Sequence, residues 1–144
     1  MALAALVTWV LTAGGGFLLL STWLGRDGMR QRERGRIRPP LIFGHFLLAA
    51  AGLVLWIVYV ATDSDTLAWI AFGMLAIVAA LGFTMFGVWV KQRQSPAARA
   101  AVAAPGEPAE PAEQHFPVAI VALHGVAAFV TLVLVLLAAL EVGD

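Results

Sequence analysis

The sequence predicts an all-α integral membrane four-helix bundle, up-down-up-down, with both termini outside. Three observations carry this: a chain that is 61 % hydrophobic and only 12 % charged, a mean hydropathy of +0.89, and four long apolar runs separated by polar breaks. A soluble domain of 144 residues does not have this composition. The runs are 3–24, 41–61, 67–90 and 118–140. None contains Asp, Glu, Lys or Arg, and each reaches the ~20 residues that a helix needs to cross a hydrocarbon core.

The first run could be read as a signal peptide, but it lacks a basic n-region and leads straight into an arginine cluster. It is expected to be a retained span. Arg26, Arg30, Arg32, Arg34, Arg36 and Arg38 lie between the first and second runs, and Lys91, Arg93 and Arg99 between the third and fourth. No other basic residue exists in the chain, so the positive-inside rule places loops 25–40 and 91–117 in the cytoplasm. Beside two spans, the arginine cluster reads as topology plus contact with anionic lipid rather than as a nucleic-acid patch.

The second run opens at Pro39-Pro40 and the fourth at Pro117, where a missing N–H costs a helix least. Thr62-Asp63-Ser64-Asp65-Thr66 is short and polar and predicts a hairpin between the second and third helices, with Ser64 or Asp65 as the cap. Trp23, Trp89 and Phe116 fall near one membrane surface and Trp56, Tyr59 and Trp69 near the other, as aromatic belts would. Between the third and fourth runs, 91–114 reads as a cytoplasmic loop with a Pro/Ala/Glu-rich linker. One transmembrane domain accounts for residues 1–144. The absence of cysteine excludes disulfides, thiolate-held metals and a covalently attached haem. Neither a Walker loop, a dinucleotide fingerprint, nor a hydrolytic triad can be assembled.

Within the spans only His45 and His124 are ionisable, which makes them the functional candidates. Counted from the cytoplasmic ends of their helices they lie at depths of about 6 and 9 Å. Small residues surround both: Gly44, Ala49 and Gly52 around His45, Gly125 and Ala128 around His124. Gly14, Gly15 and Gly16 of the first helix and Gly82 of the third lie at a comparable depth, leaving room for close helix packing or for a flat macrocycle. Paired imidazoles on two helices at matched height suit bis-histidine ligation of one haem b by His45 and His124, with Gly15 and Gly82 against the cofactor and Arg38 near its propionates. Met85 is an alternative axial ligand. A closed zinc site is disfavoured for want of four ligands. Hydrogen-bonded packing of the two histidines, or a quinone site, are the other readings of the pair. His115 is nine residues before His124, 2.5 turns of helix and about 13 Å away, so it is a hydrated interfacial residue or a contact for protons or a quinone head group.

Through Gly44-His45 and His124-Gly125 on four spans, the chain resembles the small four-helix b-type cytochromes of bacterial membranes. That resemblance implies an electron-transfer protein or subunit passing electrons between a quinone and another acceptor, although those proteins carry further histidines, including in the first helix, where this chain has none. The run His115-Phe116-Pro117-Val118-Ala119 is similar to a motif of uncharacterised bacterial membrane proteins. The competing expectation is a non-catalytic accessory subunit of a larger membrane complex, docking on partner subunits or on its own copies. Coupled transport is disfavoured, since no span carries a carboxylate and no inverted repeat is evident. An excess of arginine over lysine and of Ala, Val and Leu associates with GC-rich genomes, such as actinobacterial ones, and so with a bacterial plasma membrane.

Overall fold

The computed structural model describes residues 1–30, 36–94 and 111–140. It is all-helical over these residues, with α1 at Ala2–Gly25, α2 at Pro39–Thr62, α3 at Asp65–Arg93, a single 3-10 turn at Ala112–His115, and α4 at Val118–Ala139. All four α-helices are long and apolar enough to span a membrane. Their ends agree with the apolar runs to within about three residues, and α3 is extended at both ends by polar residues.

Local chemistry sets these ends. Pro39 and Pro40 open α2 at positions whose N–H groups would go unused, and the carbonyl of Arg38 accepts from Leu41 N at 3.0 Å. Asp63 stops the helix in the left-handed region at φ 54°, its N–H returning to Tyr59 O at 2.8 Å. Ser64 occupies the N-cap of α3 as expected but makes no side-chain cap hydrogen bond; its backbone carbonyl accepts from Leu67 and Ala68 instead. After α1 the chain turns through Asp27 at φ 58°, and Gly28 N bonds to Trp23 O at 3.0 Å. A Cβ on Gly28 would collide with the Trp23 indole, so the turn admits no side chain there. Within the spans, hydroxyls return to their own helix: Thr8 to Ala5 O, Thr12 to Thr8 O, Thr84 to Ala80 O and Thr131 to Ala127 O. These four hydroxyls are thereby satisfied without water.

Cross-helix contacts show that consecutive helices are antiparallel. Trp56 near the end of α2 donates to Ala2 O at the start of α1 at 3.2 Å, and Trp23 near the end of α1 meets Phe43 near the start of α2 at 6.2 Å. The helices form a square in which α1 packs most closely on α4 and α2 on α3, while α1–α2 and α3–α4 touch less. The diagonals α1–α3 and α2–α4 do not meet.

Two packed layers close the bundle at its ends. Toward the α2–α3 turn, Ala5, Trp9, Trp56, Ala71, Leu75 and Val135 are among its buried members, with Trp9 and Trp56 rings 6.3 Å apart. At the opposite, arginine-bearing end, Trp23, Ile37, Trp89, Gln92, Ala112 and Glu113 are buried. Four of the six aromatics expected in interfacial belts are therefore inside: Trp23, Trp56, Tyr59 and Trp89. A bundle end needs large side chains to fill it, and two of the indoles have found backbone acceptors there, Trp56 at Ala2 O and Trp89 at Glu113 O. Trp69, 46 % exposed, keeps an outward position.

The linker expectation rests on 95–110, which lie outside the described residues. Its last part is ordered: Ala112–His115 folds against α1 and α3.

Candidate functional site

Between the two packed layers no residue is buried: none from Val10 to Thr22 in α1, from Arg38 to Ala51 in α2, from Ala79 to Val88 in α3, or from Gln114 to Val130 leading into and along α4. The shortest of these stretches spans about 15 Å of helix. His45 and His124 lie at this level.

Each imidazole is held by the neighbouring helix. His45 Nδ1 is 3.0 Å from Val78 O of α3, and His124 Nδ1 is 2.9 Å from Thr12 O of α1. A carbonyl only accepts, so each Nδ1 carries the proton, and in the neutral ring each Nε2 keeps its lone pair. Nε2 flanks the same Cε1 as Nδ1, and its lone pair diverges from the Nδ1–H direction. Although α2 and α4 are diagonal and do not touch, the two ring centroids are 6.3 Å apart, with ring planes at 62°. The rings meet in an edge-to-face arrangement between the two diagonal helices.

The glycines have a more specific role than the sequence suggests. A Cβ on Gly15 would lie 3.5 Å from His124 Cβ and Nδ1, one on Gly16 would lie 3.0 Å from His124 Cε1, and one on Gly82 would lie 3.2 Å from His45 Cε1. They receive the imidazoles, letting each ring lie close enough to the next helix to reach its carbonyl. Arg38 is not brought to the rings: it is exposed at the N-cap of α2 and lines a different cavity, with Met29, Pro39, Pro40 and Phe43.

Glu113 is the residue that sequence reasoning passed over. Its side chain is fully buried. Oε1 accepts from Arg36 N at 2.7 Å and Ile37 N at 3.5 Å, its backbone carbonyl accepts from Trp89 Nε1 at 3.0 Å, and Arg93 reaches Gln114 O at 3.3 Å while lying over the Trp89 ring. This turn seals the arginine-bearing end beneath the histidine level. His115, at its end, is half-buried.

Comparison with known proteins finds no matching family model, no similar curated protein and no similar solved structure. The molecule supplies an internal comparison. Ala5 and Ala71, Thr12 and Val78, Gly16 and Gly82, Phe17 and Phe83, and Trp23 and Trp89 are pairs at one constant offset. α1 holds His124 through Thr12 and Gly16 as α3 holds His45 through Val78 and Gly82. The two hairpins α1–α2 and α3–α4 are parallel repeats about an axis along the bundle. The Gly-Phe pair and the tryptophan seven residues on are the signal that would have shown this in the sequence.

Among the described residues no group of three or more His, Cys, Asp or Glu side chains could hold a metal ion, so a protein-only metal site has no support. Two imidazoles do suffice for a metal whose remaining ligands come from a macrocycle. His45 and His124, their ring centroids 6.3 Å apart, are the residues that would hold such a group.

Proposed function

We propose that the protein is a membrane electron carrier, or the electron-transfer subunit of a larger assembly, that holds one haem b between His45 and His124. The observation that carries this reading is the proximity of the two imidazoles, their centroids 6.3 Å apart, each held by a carbonyl of the neighbouring helix. The haem would supply reversible one-electron chemistry. The chain's own residues supply the rest. The carbonyls of Val78 and Thr12 fix the tautomer of each ring and make Nε2 a better donor. The packed layers above and below the histidine level limit water. The arginine-bearing end faces the cytoplasm, as the distribution of basic residues favours.

Purified from haem-replete cells, the protein is expected to show a Soret band and a reduced spectrum with sharpened visible bands. His45→Ala and His124→Ala should each abolish the low-spin spectrum, and His115→Ala should preserve it. Colourless wild-type protein from such cells would end the proposal.

A second reading is supported by the outward glycines. Side chains added at Gly14, Gly44, Gly73, Gly87 and Gly125 would meet nothing within 4 Å, which leaves these helix faces open to close approach by partner subunits. Co-purification from native membranes in mild detergent tests it, and a monodisperse monomer without partners would count against it.

A further inference from the structure

We propose that the cavity at the start of α2 is a binding site for one anionic phospholipid. The cavity, of about 530 Å³, is lined by Met29, Arg38, Pro39, Pro40 and Phe43. It lies where α1 has just ended and α2 has just begun, the level of a head group if these helices span a bilayer. Its lining has the two chemistries that a phospholipid presents: a guanidinium for the phosphate, and four apolar side chains for the glycerol and first acyl carbons.

The walls are fixed. Phe43 packs edge-on against Trp23, which is buried with the Gly28 turn folded onto it. Arg38 makes no side-chain capping bond to α2 and, among the described residues, pairs with no carboxylate. The neighbouring Arg30 instead lies 3.9 Å from Asp27 and does not line the cavity. The loop carries six arginines against Asp27 and Glu33, so an anion is drawn to this surface, and among the described residues Arg38 is the arginine that lines the cavity.

Delipidated protein would be reconstituted in vesicles of phosphatidylcholine with increasing phosphatidylglycerol, and the thermal midpoint and retained lipid measured by native mass spectrometry. Phosphatidylglycerol should raise the midpoint and remain bound at one per chain. Arg38→Gln should weaken retention roughly fivefold, the worth of one basic residue at an anionic surface, while Arg30→Gln should change it less than twofold. Met29→Gln should weaken lipid retention without altering any response to inorganic phosphate. Equal losses in Arg38→Gln and Arg30→Gln would overturn the site in favour of diffuse attraction. Full protection by inorganic phosphate alone would overturn it in favour of a small-anion site. Neither readout uses a haem spectrum, so failure here and failure of the haem reading are separable.

Discussion

A methyl group on Gly16 would lie 3.0 Å from His124 Cε1, and one on Gly82 3.2 Å from His45 Cε1. Both contacts are tighter than ordinary van der Waals distance, so ring or helix must shift by a few tenths of an ångström, and each ring is already tied to a carbonyl of the helix that carries the glycine. Gly16→Ala and Gly82→Ala are therefore expected to destabilise the protein by about 1–3 kcal/mol and to lower the haem-to-protein ratio, to a similar degree because the sites are repeat equivalents. At Gly14 and Gly125 nothing lies within 4 Å. Alanine there should be neutral or gain about 0.5–1 kcal/mol from the reduced backbone entropy of the unfolded chain. Thermal midpoints of the four variants check the sign, and a loss at Gly14 equal to that at Gly16 would refute the assignment of Gly16 to ring seating. The sequence showed three consecutive glycines but not which one matters. That choice depends on the rotation of α1 about its axis, and in a helix apolar on every side no pattern reports rotation.

The same obstacle governs the elements. Where each span begins and ends could be read to within a few residues, because lipid demands an uninterrupted apolar run and proline or aspartate marks its ends. Which aromatics face inward could not: Trp23 and Trp89 satisfy the expectation of an interfacial belt as well as that of a buried plug. The signal for the plug lies in the 3-10 turn, where Glu113 looks like one more acid of an acidic, proline-rich tract. It is a tether: Oε1 gathers the N–H groups of Arg36 and Ile37, and its carbonyl receives the Trp89 indole. Glu113→Ala should leave two backbone donors without their acceptor and cost about 1–3 kcal/mol, while Glu113→Gln retains an acceptor and should cost less. Trp89→Phe removes the indole donor from the same turn, so its effect and that of Glu113→Ala should fall short of additivity in a double-mutant cycle. Strict additivity in thermal or chemical denaturation would mean that the turn and α3 do not act as one unit.

At the scale of the whole molecule, matched helix entry depths alone brought His45 and His124 to one level in the sequence, and the parallel repeat now gives the physical reason: each hairpin places its histidine against the other hairpin's equivalent neighbour. Symmetry about the bundle axis keeps both arginine-bearing segments at one end. That end carries Arg26, Arg30, Arg36, Arg38, Lys91 and Arg93 among the described residues, and the other end carries Asp63 and Asp65. The arginine-bearing end also carries Asp27 and Glu113. Every described arginine and lysine nevertheless lies there, and this one-sided distribution of basic residues predicts a single orientation with that end in the cytoplasm. Because the chain has no cysteine, single introduced thiols report it without background. Asp63→Cys, in the turn between α2 and α3, should react with a membrane-impermeant maleimide in intact cells, whereas Arg30→Cys and Gln94→Cys should react only after permeabilisation. The opposite pattern would invert the molecule and move the histidine level to the outer leaflet while leaving its internal geometry intact. Labelling of all three positions in intact cells would mean dual insertion, and the charge asymmetry would then not be what orients the chain.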